Sequence, residues 1–437
     1  MANAEDQNAV SFGSSSMVVE IDKMVKSIDL KKEEERWSKP SIYRVPTWMK
    51  DTTKFGEKAL QLPGTECKTY QPRVVSLGPF HHGEPNLLPM EEHKQRAMCH
   101  LVKRSRKPLA EFAAAIEAVA DTLMDAYEDL DEDWRGEGRE KFVLMMVTDG
   151  CFLLELMRSS LITFQTPGRG FVHDYAPNDP IFSCDGILTS VDSFPPDVIL
   201  MENQLPLLTL ERLLAVQLGG LPVLEGLDSL CLHPLDVFHK SWCGGPPGEK
   251  RWYNWESTMP SASALFEAGI SFKMSETVSV LDLDFKDGVL TMPVVMVGDE
   301  TESRYLNMMA FERLHLDAPK DVTAYLAFMD NLIDSEADVK LLRDKKMLHH
   351  TFGSNQAVAD LFNDITKGAS LSPLSKVHDV QRAVNGHCRK RLYKLRASFV
   401  HTYMSTPWVF SSLVAAIVLL VATLLQTIYS VMAYYKT

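Results

Sequence analysis

Apolar residues recur at helical spacing along most of this chain, which predicts that it folds mainly as α-helices. The segments with this period are 17–37, 90–127, 141–163, 197–217 with a break at Pro206, 302–316, 322–333, 337–348, 355–367 and 375–401. The period changes to two residues between Val278 and Val297, where apolar, partly β-branched runs flank an Asp287-Gly288 pair. Such a pair between two alternating runs is typical of a β-hairpin. The pattern predicts a mainly α body with a small β-hairpin element.

One segment near the C-terminus is apolar for long enough to cross a bilayer. No Lys, Arg, Asp or Glu occurs from Ala397 to Tyr435. The stretch from Trp408 to Tyr429 would form a helix of roughly 30 Å, the thickness of a hydrocarbon core. A buried helix of a soluble protein is the alternative, but such helices rarely run this far without a charge. We therefore expect a helical soluble body plus one C-terminal transmembrane helix, with the lipid bilayer as its partner.

The charges beside this helix predict its orientation. Basic residues crowd the segment from Lys376 to His401, where Asp379 is the one acid, whereas only Lys436 lies beyond the helix. The positive-inside rule then places the body in the cytosol, at the plasma membrane or an endomembrane. No apolar signal segment or N-x-S/T sequon opposes this orientation. The membrane-flanking residues are Arg389, Lys390, Arg391, Lys394, Arg396 and Trp408.

Further roles of the membrane region stay open at this stage. The basic stretch either fixes topology alone or also binds anionic lipid headgroups. Ser411, Ala415 and Ala422 share one helical face, and small residues there would allow a homodimer through the transmembrane helix.

These features divide the chain into three regions. Residues 1–41 form an N-terminal tail with an amphipathic helix, residues 42–401 the helical soluble body, and residues 402–437 the transmembrane anchor. The N-terminal helix either packs on the body or docks on a partner or membrane surface.

Composition excludes several classes of function. The formal net charge of -13 over 437 residues argues against nucleic-acid binding, which needs clustered Lys and Arg. The 7 cysteines contain no C-x-x-C pair, so we expect reduced, mostly buried thiols rather than disulfides or a zinc ribbon. The chain also lacks the G-x-S-x-G, P-loop, G-x-G-x-x-G and H-E-x-x-H motifs. Hydrolase, kinase and dehydrogenase interpretations lose their usual support.

Several polar residues interrupt apolar segments. They are Asp149, Glu155, Glu202, Asn203 and Gln204. Buried carboxylates are candidates for acid/base chemistry because burial shifts their pKa. The alternative is a structural polar core, since Pro206 breaks the second segment and leaves backbone groups that polar side chains can satisfy. We favour the structural role, with no catalytic residue.

One group of residues consists of types that bind metals. The group comprises His81, His82, Glu91, Glu92, His93, Cys99 and His100. Imidazole, carboxylate and thiolate are common metal ligands, but this spacing matches no known site. The two glutamates follow Pro89 at a helix start, where negative charge is favourable without a metal. We expect no metal and no cofactor at these residues.

Five strings of residues resemble one plant family. They are Ile42–Pro46, Val75–Gly83, Met90–Lys94, Asp149–Leu156 and Glu202–Pro206, in this order. The chain resembles the family called domain of unknown function 247 from about residue 42 to residue 429, including Pro407-Trp408 before the last helix. It departs at Met308-Met309 and Arg313. The resemblance implies a plant membrane protein without established biochemistry, and some grass members are pollen-side determinants of self-incompatibility.

These observations together predict a tail-anchored plant membrane protein that acts in recognition or scaffolding through an unknown protein partner. Pollen-side self-incompatibility is the specific role that the resemblance allows. The alternative is an enzyme of unrecognised type that uses the buried carboxylates. A deep polar pocket around Glu202 would favour the enzyme, whereas an exposed apolar patch would favour partner binding.

Overall fold

The computed structural model shows how the apolar stripes pair. It describes residues 16–27, 29, 31, 38, 41–50, 68–165, 175–183, 186–187, 194–220, 232–244, 258–367, 375–390 and 407–436. Within these residues the chain is mainly helical with a few short strands, which confirms the predicted fold class. Its last helix is long and apolar enough to cross a membrane.

The helices follow one another in this order: Ser16–Ser27 (α1), Thr47–Lys50 (α2), Pro89–Ser105 (α3), Leu109–Glu117 (α4), Ala120–Asp125 (α5), Glu132–Arg135 (α6), Arg139–Gln165 (α7), Phe194–Val198 (α8), Leu207–Leu218 (α9), Pro234–Cys243 (α10), Ala262–Glu267 (α11), Thr301–Leu314 (α12), Asp321–Leu332 (α13), Glu336–Asp344 (α14), Asn355–Ile365 (α15), Val377–Cys388 (α16) and Pro407–Lys436 (α17). The strands are Ser271–Met274 (β1), Asp284–Lys286 (β2), Val289–Met292 (β3), Val295–Val297 (β4) and Leu348–His350 (β5).

The first hydrophobic cluster forms around α7. Helices α3, α4, α5 and α9 contribute buried side chains to it. Gly150 on α7 allows α9 to pack closely, because a Cβ there would lie 3.1 Å from Thr209 Cγ2 and still closer to Leu213. The sequence motif around Asp149-Gly150 is therefore a site of close helix packing.

The second hydrophobic cluster occupies the C-terminal half of the body. It is built from α10 to α16 and both small sheets. Two irregular segments contribute to both clusters. Ile42 packs in the first cluster and Tyr43 in the second, while Met201 packs in the second and Leu205 in the first. These segments join the two halves of the body.

The predicted hairpin turn is present, but its strands are shorter than predicted. Asp287 and Gly288 have φ values of 52° and 79°, and Lys286 pairs with Val289 in an antiparallel register, the geometry of a two-residue hairpin turn. β1 runs parallel to β3 on its other side, and β4 pairs in parallel with β5. The prediction of a hairpin over the whole of 278–297 was wrong. Pro293 has no N–H for a ladder, and Val280 and Leu283 bury their side chains from backbone that forms no strand.

The helix predicted over 197–217 was also only partly right. Residues 199–206 are irregular between α8 and α9, so Glu202, Asn203 and Gln204 do not lie in a helix. Pro206 removes a backbone donor, and long-range side-chain hydrogen bonds replace the helical ones. The segment 90–127 contains α3, α4 and α5, since Arg106 has a left-handed φ of 58° and Pro108 precedes α4. Helices α10 and α11 were not predicted.

The two terminal helices leave apolar side chains exposed. In α17 the window Trp408–Met432 has 0% of its residues buried. In α1 the side chains of Val19, Ile21, Met24 and Val25 are about half exposed. The predicted continuation of α1 to Trp37 falls on residues that are mostly outside the described ranges. So do Arg391, Lys394 and Arg396, whereas Arg389 and Lys390 are exposed.

Replacing Gly288 by valine tests the hairpin. A β-branched residue at a φ of +79° is strained, and its Cβ would lie 3.3 Å from His387 Cε1. We expect the free energy of unfolding, measured by urea titration of the full chain in detergent micelles, to fall by about 1–3 kcal/mol. Gly353→Val is the control, because nothing lies within 4 Å of a Cβ there and its φ is not positive. Equal stability of the two variants would contradict the assigned turn.

Candidate functional site

An irregular segment, residues 73–81, lies between the two halves of the body and is held by side chains. Asp197 begins this arrangement. Its carboxylate accepts hydrogen bonds from the backbone N–H groups of Arg73, Val74 and Val75 at 2.7–3.2 Å. Burial is the largest influence on the Asp197 carboxyl and raises its pKa. The hydrogen bonds from the three backbone donors lower the pKa but do not fully offset burial. One side chain thus satisfies three successive backbone donors.

Asn203 continues the arrangement as a substitute for a neighbouring strand. Its Oδ1 accepts from Leu77 N at 2.7 Å, and its Nδ2 donates to Val75 O at 3.0 Å and to Asp197 O at 2.9 Å. The side chain is 0% exposed. An amide suits this position because it offers an acceptor and two donors on one plane.

A buried ion pair between Lys94 and Asp149 binds the backbone of Ser76 and Gly78. Lys94 Nζ lies 2.5 Å from Asp149 Oδ1 and 2.6 Å from Glu91 Oε1, and donates to Ser76 O at 2.9 Å. Asp149 Oδ2 accepts from Gly78 N at 2.9 Å. Lys94 is 0% exposed. Burial is the largest influence and lowers the pKa of Lys94, but the two carboxylates outweigh it, so the pKa is raised and the ammonium stays charged.

Gly78 lies so close to the backbone of Gln204 that no side chain fits there. It has a φ of +73°, and a Cβ there would lie 2.7 Å from Gln204 O and 2.8 Å from Tyr127 Oη. Tyr127 donates from that hydroxyl to Gln204 O at 2.9 Å. Gln204 itself donates to Val198 O and Leu200 O and accepts from Leu235 N. Its amide therefore connects the loop 199–206 to the start of α10.

Glu202 contacts Val45 and Lys50, near the N-terminal start of the body. Its Oε1 accepts from Val45 N at 2.7 Å and lies 2.8 Å from Lys50 Nζ. Its Oε2 lies 3.6 Å from His81 Nε2, and Nδ1 of the same ring lies 2.6 Å from Glu84 Oε1. Burial is the largest influence and raises the pKa of Glu202, but the contacts with His81, Lys50 and Val45 outweigh it and lower the pKa below its usual value.

Glu155 belongs to a separate group on the same helix as Asp149. Its carboxylate pairs with Arg104 and with Arg158, whose Nη2 lies at 3.0 Å, and it accepts from the Tyr175 hydroxyl at 3.0 Å. Burial, with a smaller contribution from Glu155, raises the pKa of the adjacent Cys151 thiol to about 12. The structure thus brings four of the five predicted polar residues to the segment 73–81 or its immediate supports, and leaves Glu155 apart.

Three important members of this core were not among the predicted site residues. They are Lys94, Asp197 and Asn307, whose Oδ1 accepts from Met201 N at 2.8 Å. The burial of Lys94 could have been predicted from the sequence, because this residue lies on the same helical face as the apolar residues Met90, Ala97 and Leu101. Nothing local marks Asp197 or Asn307, because their partners lie far away in the chain.

The candidate metal ligands around α3 do not form one site. Glu91 and His81 are engaged in the core as described, and Glu91 and Glu92 lie in the first turn of α3 after Pro89. The remaining rings contact other partners: His82 meets Trp134, His93 meets Arg96, and His100 stacks on Tyr175. Cys99 is exposed. These residues do not converge.

A second buried polar group lies in the other half of the body. His239 Nε2 lies 2.7 Å from Glu312 Oε1, and Cys243 Sγ lies 3.7 Å from the same nitrogen. Glu312 also accepts from Val322 N at 2.8 Å, Thr323 N at 2.9 Å and Thr323 Oγ1 at 2.5 Å, so it caps the start of α13. Sequence reasoning missed this group, although the i, i+4 spacing of His239 and Cys243 on a helix was a signal.

Lys94→Met is expected to lower the free energy of unfolding by about 3–5 kcal/mol, because it leaves Asp149 buried without its cation. Adding Asp149→Asn should recover part of this loss, since a neutral amide still accepts from Gly78 N. Lys107→Met is the control: that lysine pairs with Glu111 at the surface, and we expect a change within about 0.5 kcal/mol. The core assignment fails if Lys94→Met costs no more than Lys107→Met in urea titration.

The contacts of His81 predict a pH dependence. Burial is the largest influence and lowers its pKa, but the contacts with Glu202 and Glu84 outweigh it and raise the pKa above 6.5. A raised pKa adds stability that is complete below about pH 6.5 and is lost as pH rises through the folded value. The lowered pKa of Glu202 works in the opposite sense, with stability lost as pH falls below about 4.5. The contact between His81 and Glu202 therefore stabilises the folded body most between about pH 4.5 and pH 6.5.

The measurement is the difference in unfolding free energy between wild type and His81→Gln across pH 5–9. We expect this difference to shrink as pH rises through the upper part of that range. The exposed neighbour His82, replaced in the same way, should give a small difference throughout. A His81→Gln difference that is constant with pH would refute the assigned contacts.

Comparisons with known proteins identify the family of the chain. The UPF0481 protein At3g47200 of Arabidopsis thaliana is 28% identical over 417 residues, covering 84% of each chain. A second UPF0481 protein of that plant, At3g02645, is 30% identical over 177 residues, which cover 39% of this chain and 33% of the relative. No solved structure matches. A family model described as a plant protein of unknown function matches residues 57–422, so the chain belongs to the plant family called domain of unknown function 247.

Proposed function

We propose that this chain is a non-enzymatic membrane protein, anchored by α17 with its body in the cytosol, that acts in recognition or as a scaffold. The observation that carries the proposal is the exposure of α17. Over Trp408–Met432 the helix is apolar and 0% buried. Monomeric soluble proteins rarely leave so large an apolar surface in water, whereas a bilayer would cover it.

The polar side chains within α17 also suit a membrane. The hydroxyls of Ser412, Thr423 and Thr427 each donate at 2.8 Å to a backbone carbonyl of the preceding turn. A polar group in hydrocarbon needs such an internal partner because water is absent. Trp408 is 85% exposed and Tyr429 71% exposed near the two ends, which is the arrangement of interfacial aromatic residues.

The orientation follows from charge. Arg389 and Lys390 are exposed at the end of α16, before the anchor, and begin the basic run that continues in the sequence to Arg396. Only Lys436 lies on the far side. This asymmetry supports a cytosolic body through the positive-inside rule.

The engagement of the buried carboxylates supports recognition over catalysis. Asp197 binds three backbone donors, Asp149 binds Lys94 and Gly78, and Glu202 binds Val45, Lys50 and His81. Acid/base work would require one of these oxygens to leave its partners and reach a substrate. Since they are 1–3% exposed, a structural role suits them better.

Self-incompatibility is the more specific role that the family resemblance allows for some grass members. With the body in the cytosol, such recognition would have to occur inside the cell, through a protein partner or a second copy of the chain. With the body on the other side, direct recognition at the cell surface becomes physically accessible. Topology therefore decides which form of recognition this body can perform.

Glycosylation mapping tests the orientation. One artificial N-x-S/T sequon is placed in the exposed acidic loop near Gly136 and another on a short extension after Thr437, each in its own variant of the full chain. We expect modification at the C-terminal sequon alone, because glycosylation requires the lumen. The same variants with Gln in place of the acceptor Asn control for other modifications. Glycosylation near Gly136 would show that the body is luminal, and absence from membranes after carbonate extraction would refute the anchor.

A further inference from the structure

We infer that His239, Cys243 and Glu312 bind one structural Zn²⁺ ion in the C-terminal half of the body. The three side chains come from two helices, α10 and α12, and their ligand atoms all lie within 4.8 Å of one another. They are 1%, 5% and 1% exposed. The inference is independent of the proposed function, since a structural ion can serve either a scaffold or an enzyme.

The distances are close to those of a tetrahedral zinc site. Zn–S bonds of about 2.3 Å and Zn–N and Zn–O bonds of about 2.0–2.2 Å separate neighbouring ligand atoms by roughly 3.3–3.6 Å. Cys243 Sγ lies 3.7 Å from His239 Nε2, which already agrees with that spacing. The 2.7 Å contact between His239 Nε2 and Glu312 Oε1 would widen by about 0.6 Å to admit the ion.

The three donor types select zinc among the common divalent ions. A thiolate with an imidazole and a carboxylate is a borderline-soft set, whereas magnesium and calcium prefer oxygen alone. A fully buried position is typical of structural zinc, which takes four ligands and leaves no open site. His239, Cys243 and Glu312 supply three of these four ligands.

The outer partners that orient a metal ligand are already present. Val322 N and Thr323 N donate to the two oxygens of Glu312, and Thr323 Oγ1 donates to Oε2 at 2.5 Å. Such contacts fix the direction of a ligating carboxylate. A zinc ion would also offset the cost of burying the Glu312 carboxylate, which lies 2.7 Å from His239 in the described structure.

Zinc binding would release one proton. The Cys243 thiol releases its proton to solvent and the thiolate sulfur donates an electron pair to the ion. The proton on His239 Nε2, which the 2.7 Å contact with the Glu312 carboxylate requires, moves to Nδ1, and Nε2 donates its electron pair to the ion. Glu312 binds as a carboxylate, so one zinc ion enters and one proton leaves. No electron transfer is involved.

Metal content of the untagged full chain, purified in detergent micelles from zinc-supplemented cells and washed with a weak chelator, tests the site. We expect about one zinc per chain by mass spectrometry. Cys243→Ser and His239→Gln should each lose it. Cys151→Ser is the matched control, because that thiol is equally buried but lies in the first cluster beside Glu155. Zinc content that is zero in wild type, or unchanged in the two ligand variants, would overturn the inference.

Cobalt substitution guards against variants that simply fail to fold. Wild-type chain reloaded with Co²⁺ should show thiolate-to-cobalt charge-transfer absorption, and Cys243→Asp should retain the metal but lose that band. Thr323→Val, which removes only the hydroxyl on Glu312, should bind zinc about 10–100-fold more weakly. If the ligand variants do not fold, the wild-type spectrum decides: absence of the thiolate band shows a hydrogen-bonded helix cap without a metal.

Discussion

The body depends on keeping one irregular backbone segment buried without leaving its polar groups unpaired. Residues 73–78 run between two hydrophobic clusters and belong to no strand or helix. A buried N–H or carbonyl without a partner costs about 1–3 kcal/mol, so several such groups would outweigh much of a domain's net stability. Asp197, Asn203, Lys94 and Asp149 supply those partners from three other parts of the chain. The side chains act here as a neighbouring strand would.

This constraint explains the positions of the sequence strings that resemble the plant family. The string Val75–Gly83 contains most of the segment, and the strings Met90–Lys94, Asp149–Leu156 and Glu202–Pro206 all contact it. Each contributes a group that another string needs. Gly78 is required because a side chain there would collide with Gln204 O and Tyr127. The partners are interdependent, since removing one leaves a charge or an amide unsatisfied in a site with little water. Substitution at one string is therefore expected to affect the whole junction.

The sequence predicts what depends on local pattern and misses what depends on distant partners. Helix α17, the Asp287-Gly288 turn and most helices after residue 300 follow from spacing and turn chemistry alone. The loop 199–206 was read as helix because its apolar residues keep helical spacing, yet Asn203 bonds to Leu77, 126 residues away. Lys94 is buried because Asp149 lies opposite it, and His239 meets Glu312 across 73 residues. Such pairs appear in no local window.

The burial of these charged groups bears on the proposed function. The carboxylates are held by backbone donors and cations, so they give the junction a defined geometry. Under the proposed function, recognition is the task of the surface, where side chains such as Val278, at 76% exposed, and Leu316, at 90%, remain in contact with solvent. Under the same proposal, the anchor changes what that surface must achieve. Confinement beside the bilayer would raise the effective concentration of any partner in the same membrane, so a contact area too small for stable binding in solution would be sufficient there. In the proposed scaffold the rigid interior and the anchored helix are therefore complementary: the first presents a fixed surface, and the second lets a weak surface contact be selective.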